Sequence, residues 1–475
     1  MEKEAREKLD RALSPRTVAV VGAKKDSDYS WIRNNLNFKG KLYSVQIDPN
    51  EIPGILELGV ENYPSLMDIP EQIDYVICAV PRNVSPRIVA DCITKGVGGV
   101  TLFTSGFAET GTEDGIQFQE RITQMASEGK LNLVGPNCMG IFKPKVGLKF
   151  SAEQSHNEDA VGQVAFVSQS GSQASGFSTE AYHHGIGVSK VVSFGNGVVL
   201  DAADYLEFFA DDPETQVIAM YIEGLRNGRR FFNILREVAA KKPVVIWKGG
   251  VTEESSRAAN SHTASLAIAS TIWDAVLKQC GAINVHGLDE TIDAVKAIMF
   301  SRPIKGHPRL GLIAVAGGHS VEISDCFSLQ GCKVPRLSQE SYEQLSGFYS
   351  VVGGSFQNPI EGGGNWSKEE NVTTILNILE SDSNVDAIVM ELGTAGIRDR
   401  SQERLMQRLQ TLKDFYATSK KPFWAVQAGG TQRVPTEVAR EAAVELQKGG
   451  IPIFPNFVRA AGAMKKIVEH YVNEA

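Results

Sequence analysis

Short apolar runs rich in β-branched residues alternate with helical stretches along nearly the whole chain. This alternation is typical of parallel sheets covered by helices, because a strand can be joined to a parallel neighbour only through a crossover connection. The chain has 475 residues, more than one hydrophobic core usually organises. We therefore predict an α/β protein with three domains, residues 1–145, 146–301 and 302–475.

The predicted strands fall into three blocks. A polar stretch, residues 143–163, separates the first block from the second, and a stretch rich in proline, glycine and basic residues, 301–309, precedes the third. The predicted strands are Thr17–Val21, Leu42–Ile47, Tyr75–Val80, Val100–Phe103 and Leu131–Val134, then Val164–Val167, Val188–Ser193, Val217–Tyr221 and Val244–Trp247, and finally Leu310–Val315, Ala387–Met390 and Phe423–Val426.

The second and third blocks look like two copies of one unit. In each, a strand ends at a glutamate, Glu223 or Glu391, and a Lys-Lys-Pro segment, a strand and a Gly-Gly pair follow. All doubly wound units share some of these residues at the ends of their strands, but the repeated Lys-Lys-Pro and Gly-Gly segments favour duplication. Only the second block continues into a loop that carries a histidine, His262. The copies therefore differ at a residue that can perform chemistry.

Composition narrows the classes of partner and compartment. The net charge of −8 argues against a nucleic-acid-binding protein, which would carry a basic field. The six cysteines are scattered without a CxxC pair, which predicts a reducing compartment. There is no apolar signal-peptide core and no run of about 18 apolar residues. We expect a cytoplasmic protein that holds anionic ligands through backbone amides and a few local cations.

The carboxyl ends of the first block's strands are the expected ligand edge, because open parallel sheets bind ligands there. The first strand runs into Gly22, but no GxGxxG pattern follows, so a dinucleotide is disfavoured. The other strand-end segments are Val80–Arg82, Thr104–Glu109 and Gly135–Gly140. We expect a nucleotide-containing ligand other than NAD.

The segment Ser168-Gln-Ser-Gly-Ser172 follows a predicted strand and precedes a predicted helix, Gln173–His183. Hydroxyl groups and backbone N–H groups at a helix N-terminus favour an anion site. A serine N-cap beside a flexible turn explains the same residues equally well, and the sequence leaves both interpretations open. Ser193–Gly197 is a second turn of this kind after a strand.

His262 lies among small residues that leave its ring accessible, and a predicted helix, Ser265–Gln279, follows it. A phosphohistidine needs a nucleophilic ring nitrogen, an acceptor that orients the other nitrogen, and dipoles that hold the phosphoryl charge. Glu223, at the end of a neighbouring predicted strand, is the candidate acceptor. A surface or packing role is the alternative, because most of the eight histidines will have such roles.

Six segments in matching order resemble one known family. They are Val18-Ala-Val-Val-Gly-Ala23, Ser105-Gly-Phe-Ala-Glu109, Gly135-Pro-Asn-Cys-Met-Gly-Ile141, Val167-Ser-Gln-Ser-Gly-Ser172, Tyr221-Ile-Glu-Gly224 and Ser261-His-Thr-Ala-Ser-Leu-Ala267. Together they resemble the α subunit of ADP-forming (NDP-forming) acyl-CoA synthetases, relatives of succinyl-CoA synthetase. The resemblance implies a Rossmann-like CoA-binding domain followed by two flavodoxin-like CoA-ligase domains.

The resemblance implies reversible conversion of acyl-CoA, ADP and phosphate into free acid, CoA and ATP through an acyl phosphate. His262 would carry the phosphoryl group, and Glu223 would orient it. Phosphate would be bound by Ser168, Ser170, Gly171 and Asn137, and CoA by Gly22, Ala23, Val80, Pro81, Ser105 and Gly106. The alternative is a non-catalytic protein that kept the fold and senses CoA or acyl-CoA.

The family also needs an ATP-grasp domain that exchanges the phosphoryl group with a nucleotide. The three predicted blocks leave no room for it, so the resemblance implies a separate β subunit in an α2β2 assembly. ADP or ATP and Mg²⁺ would bind to that partner, and we expect no metal site on this chain.

Three departures from the family's pattern bear on these expectations. Ala264 and Ile268 stand where members usually have glycine, so the histidine loop is expected to have a different shape. Lys24 follows Ala23 where members have serine, which alters the expected CoA contacts there. In the third block, Gly317-Gly-His-Ser320 replaces the usual Gly-Gly-Pro-Gly.

Overall fold

The computed structural model describes residues 2–252, 254–255, 270–304, 306–352, 354–362, 365–366, 368–393, 402–427 and 436–473. His262 and its neighbours at 256–269 lie outside the described residues. The chain divides into two compact units, Met1–Tyr182 with Gly187–Leu288 (unit 1) and His183–Ile186 with Asp289–Ala475 (unit 2).

The strands of the described residues alternate with helices, as the sequence pattern predicts. The strands are β1 (Thr17–Val21), β2 (Lys41–Val45), β3 (Glu61–Tyr63), β4 (Tyr75–Cys78), β5 (Gly99–Leu102), β6 (Leu133–Val134), β7 (Gly140–Phe142), β8 (Val161–Ser168), β9 (Val188–Ser193), β10 (Val217–Ile222), β11 (Val244–Lys248), β12 (Ile283–Val285), β13 (Leu310–Ala314), β14 (Ile360–Glu361), β15 (Ala387–Glu391), β16 (Phe423–Val426) and β17 (Ile453–Phe454).

The helices between them close the crossovers. They are α1 (Lys3–Leu13), α2 (Ser30–Arg33), α3 (Ile52–Glu57), α4 (Ser85–Lys95), α5 (Glu113–Glu128), α6 (Gly171–His183), α7 (Ala202–Ala210), α8 (Gly228–Ala239), α9 (Ser270–Cys280), α10 (Leu288–Phe300), α11 (Gly317–Leu329), α12 (Gln339–Ser346), α13 (Glu369–Ser381), α14 (Gln402–Thr418), α15 (Thr436–Lys448) and α16 (Phe457–Asn473). No helix within the described residues is both long and apolar enough to cross a lipid bilayer.

The first sheet has the strand order β3-β2-β1-β4-β5-β6, and every pair in it is parallel. This is the order of a doubly wound dinucleotide-binding fold, in which the chain reverses direction across the sheet between β1 and β4. The loops that follow β1 and β4 therefore flank the crevice at the carboxyl edge. Gly22 and Val80 lie in these two loops.

The second and third sheets share one topology. The order β9-β8-β10-β11-β12 within the second sheet corresponds strand for strand to β14-β13-β15-β16-β17 in the third. Both follow the flavodoxin-like order 2-1-3-4-5, which supports the duplication inferred from the sequence. The second sheet has one extra strand, β7, which pairs antiparallel with β9.

The continuous apolar runs arise because helices cover both faces of these sheets. Every residue of β1, β9 and β15 is buried, so their side chains do not alternate between core and solvent. Val18 and Val20 are fully buried on one face of the sheet, and Ala19 between them, which faces the opposite side, is fully buried as well. The predicted bounds of β1, β9 and β16 agree with the structure, because these strands lie deep in the core.

A buried ion-pair cluster ties β9 to the segment before β10. Lys190 is 1% exposed, and its Nζ donates to Asp212 at 2.8 Å and to Glu214 at 2.9 Å. Lys143, in the segment after β7, donates to the same Glu214 oxygen at 2.7 Å. Burial raises the pKa of Glu214, but the hydrogen bonds from three lysines outweigh burial and hold that pKa far below its usual range.

Lys190→Ala is expected to lower the free energy of unfolding by about 3–5 kcal/mol, because it leaves the buried Asp212 carboxylate without its lysine partner. Urea unfolding at neutral pH measures this loss. Lys145→Ala is the matched control: Lys145 also binds Glu214 but is 61% exposed, so its removal should cost about 1 kcal/mol or less. Equal losses in the two variants would contradict the prediction.

The same cluster predicts a direction for the pH dependence of stability. Because folding lowers the pKa of Glu214, its contribution is present above the unfolded-state value of 4.5 and is lost as the pH falls below it. The urea midpoint of the wild type should therefore fall in acid more steeply than that of Glu214→Gln. Parallel pH profiles for the two proteins would count against this assignment.

Candidate active site

The turn after β8 carries the predicted phosphate-binding residues. Ser168 ends β8 and is 0% exposed. Its hydroxyl donates to the carbonyl of Ser170 at 2.7 Å and accepts from the Ser170 N–H at 3.1 Å. Ser168 therefore shapes the turn from within, whereas Ser170 and Gly171 are only half-buried.

Helix α6 begins at Gly171, so the turn leads directly into a helix N-terminus. The Ser170 hydroxyl lies 2.9 Å from that of Ser172 and accepts from the N–H of Gln173 at 3.4 Å. The N–H groups of the first turn have no acceptor within the helix, and the helix dipole favours negative charge beside them. Ser170 thus accepts a hydrogen bond from the first turn of α6, as a serine N-cap does. This capping role is compatible with an anion site at the same helix N-terminus.

Gly171 is required by a close approach of another loop. A Cβ atom at this position would lie 2.7 Å from Cγ of Met139, in the segment between β6 and β7. The N–H of Met139 in turn donates to the Ser193 hydroxyl at 3.1 Å, at the end of β9. The loop that contains Asn137 is therefore packed against the start of α6.

Glu223 follows β10, the strand next to β8 in the sheet. Gln169 holds the backbone of this residue, because its Oε1 accepts from the N–H groups of Glu223 (2.5 Å) and Gly224 (2.8 Å). Lys248, at the end of β11, donates to the Glu223 carbonyl at 2.7 Å. The strand-end segments after β8, β10 and β11 thus converge on Glu223.

One oxygen of the Glu223 carboxylate has no hydrogen-bond partner among the described residues. This oxygen, Oε2, is buried. Burial and the nearby Glu223 carboxylate raise the pKa of Tyr221, and burial lowers the pKa of Lys248 against the opposing effect of the same carboxylate. A buried carboxylate oxygen without a hydrogen bond is costly.

The loops after β1 and β4 touch at the crevice of the first sheet. Gly22 has φ +87°, and a Cβ there would lie 2.7 Å from Cγ1 of Val80. Ala23 and Val80 are buried (2% and 8% exposed), whereas Pro81 is exposed. Ala23 and Val80 therefore form the wall of the crevice, and Pro81 lies at its rim.

The loop after β5 completes this edge. Ser105 is exposed, and Gly106 has φ +98°, a backbone conformation that favours glycine. Arg82 donates to the Gly106 carbonyl, pairs with Asp114, and stacks 4.8 Å from the centre of the Phe118 ring. The predicted CoA-binding residues therefore lie on three neighbouring strand-end loops of one sheet.

Asn137 lies between the first and second sheets. It adopts a left-handed conformation (φ +57°), and its side-chain amide donates to Oδ1 of Asn196 at 3.4 Å. The turn with Asn196 packs closely, because a Cβ on Gly195 would lie 2.2 Å from the Asn137 carbonyl oxygen. Asn137 thus contacts the turn after β9 directly. The loop that contains it also packs against the start of α6, through Met139.

Unit 2 carries the counterpart of Glu223. Glu391 ends β15, is 1% exposed, and accepts from Nδ1 of His319 at 2.9 Å and from the N–H of Val315 at 2.8 Å. His319 stands in the first turn of α11, within the Gly-Gly-His-Ser departure noted above. Both copies have a glutamate at the corresponding strand end. The Glu391 carboxylate is bound to His319, whereas Oε2 of Glu223 has no hydrogen bond among the described residues.

The sequence-based prediction missed several residues that hold this site together. Gln169 and Glu109 lie inside the quoted motifs and could have been found there. Arg82 and Asn196 lie in strand-end segments that the sequence indicates, but their roles, like that of Lys248, depend on partners from distant parts of the chain.

Comparison with known proteins places these features in one family. A model described as a CoA binding domain matches residues 16–144, and one described as a succinyl-CoA ligase like flavodoxin domain matches residues 161–298. The α subunit of acetate–CoA ligase [ADP-forming] II from Pyrococcus furiosus is 32% identical over 98% of this chain and 98% of its own length. The chain belongs to the ADP-forming acyl-CoA synthetase family.

Further relatives agree with this membership. The dinucleotide forming acetyl-coenzyme A synthetase 1 of Ca. Korarchaeum cryptofilum, solved with phosphate and ADP, has a TM-score of 0.80 at 28% identity and covers 98% of this chain and 97% of that chain. Acetate–CoA ligase [ADP-forming] I of Archaeoglobus fulgidus is 33% identical over 80% of this chain, which spans 54% of that protein.

Membership in this family of acid–thiol ligases confirms the predicted fold class and supports the catalytic interpretation over the CoA-sensing one. The CoA-binding match on the first domain also agrees with the expectation of a nucleotide-containing ligand other than NAD. In this ADP-forming acyl-CoA synthetase, the predicted site residues within the described ranges all belong to unit 1.

Proposed function

We propose that this α subunit interconverts acyl-CoA, ADP and phosphate with free acid, CoA and ATP, through an acyl phosphate and a phosphoryl group carried by His262. The observation that best supports this mechanism is Oε2 of Glu223, which has no hydrogen-bond partner among the described residues and lies at the strand end next to the Ser168–Gly171 turn. A histidine ring N–H is a donor that would satisfy this oxygen. His262 belongs to the segment that follows β11, the strand beside β10.

The proposed chemistry has two group transfers on this subunit. Phosphate attacks the thioester carbonyl of acyl-CoA, the C–S bond breaks, and CoA leaves as a thiolate that takes up a proton. One ring nitrogen of His262 then attacks phosphorus, the P–O bond to the acyl oxygen breaks, and the acid leaves as a carboxylate. The other ring nitrogen donates a hydrogen bond to Glu223, which stabilises the positive charge that develops on the ring.

The anion would be held at the start of α6. Ser170, the backbone N–H of Gly171 and the side chain of Asn137 provide donors, while Ser168 keeps the turn in shape. CoA would bind along the crevice of the first sheet. Its proposed contacts are Gly22, Ala23, Val80, Pro81, Ser105 and Gly106.

We assign the nucleotide site and its Mg²⁺ to an ATP-grasp β subunit in an α2β2 assembly in the cytoplasm. Relatives of two lengths support a division between subunits: the chain spans 98% of an α subunit from Pyrococcus furiosus but 54% of acetate–CoA ligase [ADP-forming] I from Archaeoglobus fulgidus. The phosphoryl group on His262 would pass to ADP on that partner.

The test uses the full chain purified with an ATP-grasp β subunit. The complex is given ATP, Mg²⁺, CoA and one acid at a time from a panel of acetate, branched, aryl and hydroxy acids. We expect acyl-CoA and ADP in equal amounts for at least one acid, with acetate the first to try because relatives are named for it. CoA binding without ADP release for any acid would instead favour a sensing protein.

A further inference from the structure

Glu109 joins loops that belong to different sheets of unit 1. It lies in the turn between β5 and α5, and its Oε1 accepts from the N–H groups of Gly106 (2.6 Å) and Phe107 (3.1 Å). Its Oε2 accepts from Nδ2 of Asn196 at 2.7 Å, in the turn after β9. Both oxygens of one part-buried carboxylate are therefore used, one on each side of the boundary between the sheets.

Asn196 extends this connection to the proposed phosphate site. Its Oδ1 accepts from the side chain of Asn137 at 3.4 Å, and its own N–H donates to the Pro136 carbonyl at 3.0 Å. Nδ2 of Asn196 also donates to Gln119, on α5, at 2.9 Å. A continuous set of hydrogen bonds thus runs from Gly106 through Glu109 and Asn196 to Asn137.

The loop at Gly106 depends on this connection for its position. Gly106 has a backbone conformation with φ +98°, and its two polar backbone groups are held by side chains from elsewhere, the carbonyl by Arg82 and the N–H by Glu109. Charge-assisted hydrogen bonds to a carboxylate are stronger than those between neutral groups. Glu109 therefore restrains the N–H side of this loop through a charge-assisted hydrogen bond.

We propose that Glu109 is a positioning residue that, through Asn196, keeps the CoA-binding loop in register with the loop that carries Asn137. This inference rests on the proposed function. Acyl transfer between CoA and phosphate needs both loops at once, whereas transfer of the phosphoryl group to His262 needs only the phosphate side. A displacement of about 1 Å between reacting groups costs on the order of 100-fold in rate.

The test compares Glu109→Ala, Asn196→Ala and the double variant in the complex with the β subunit. Two rates are measured: acyl-CoA formation, with KM for CoA and kcat separated, and acid-labile phosphoryl labelling of the chain by ATP. We expect acyl-CoA formation to fall about 10- to 100-fold in each single variant, no further in the double variant, and labelling to change less than about twofold.

Glu113→Ala is the matched control, because Glu113 is an exposed glutamate four residues along the chain whose carboxylate accepts from Gln117 at 3.3 Å. It should leave both rates unchanged. Equal loss of both rates in Asn196→Ala, or additive losses in the double variant, would overturn the proposal, and Asn196→Ala decides the matter if Glu109→Ala does not fold. Failure of the proposed function would instead appear in the wild type, as absence of labelling.

Discussion

His262→Asn is expected to abolish phosphoryl labelling and to lower turnover by at least about 10⁴-fold, because a residue that forms a covalent intermediate has no substitute in the cycle. Asparagine keeps a polar side chain but has no nucleophilic ring nitrogen. The measurement uses labelled ATP, Mg²⁺ and the β subunit, followed by acid and base treatment of the protein. The label on the wild type should be acid-labile and base-stable.

His286→Asn serves as the control for this experiment, because His286 is an exposed histidine on the same unit. It should be labelled and turn over like the wild type. Label on His262→Asn at the wild-type level, together with continued turnover, would remove His262 from the mechanism.

Glu223→Gln is expected to slow the phosphoryl labelling of the chain by about 100-fold or more. Glutamine preserves the size of the side chain, and the backbone bonds from Gln169 and Lys248 remain in place, so the local fold should persist. The variant loses the charge that would stabilise a positively charged phosphohistidine ring. Single-turnover labelling with a rapid quench measures the rate.

The matched control is Glu237→Gln, an exposed glutamate on α8. It should label at the wild-type rate and have the same thermal stability. If Glu223→Gln labels as fast as this control, the carboxylate does not act on the phosphoryl carrier. A lowered melting temperature of Glu223→Gln alone would indicate a structural role in place of the proposed one.

The sequence predicted the strands that lie deep in the sheets. β1, β9 and β16 have the expected bounds, because strands covered on both faces must be apolar at every position. The sequence did not predict β3, β12, β14 and β17, which have two or three residues each and leave no periodic signal. β7 was also missed, because its pairing with β9 depends on a segment about 50 residues away.

The parts of the candidate site that consist of short local motifs could be predicted from the sequence. The Ser168–Ser172 turn and Glu223 stand at neighbouring strand ends, as expected for parallel strands that share a carboxyl edge. The role of Ser168 within the turn could not be inferred, because burial depends on what packs around it. The need for glycine at position 171 could not be inferred either, because it depends on Met139, which packs where a side chain would lie.

The phosphoryl-carrier hypothesis for His262 came from the sequence alone: a histidine among small residues, present in one copy of a duplicated unit and absent from the other. The order of motifs along the chain was enough to indicate the fold class, the family and the candidate chemistry, because each motif is local. Only the tertiary structure showed that Glu109 and Asn196 connect two sheets and that Oε2 of Glu223 has no partner among the described residues. Those features depend on distances between residues far apart in the chain, which folding sets and a linear pattern does not record.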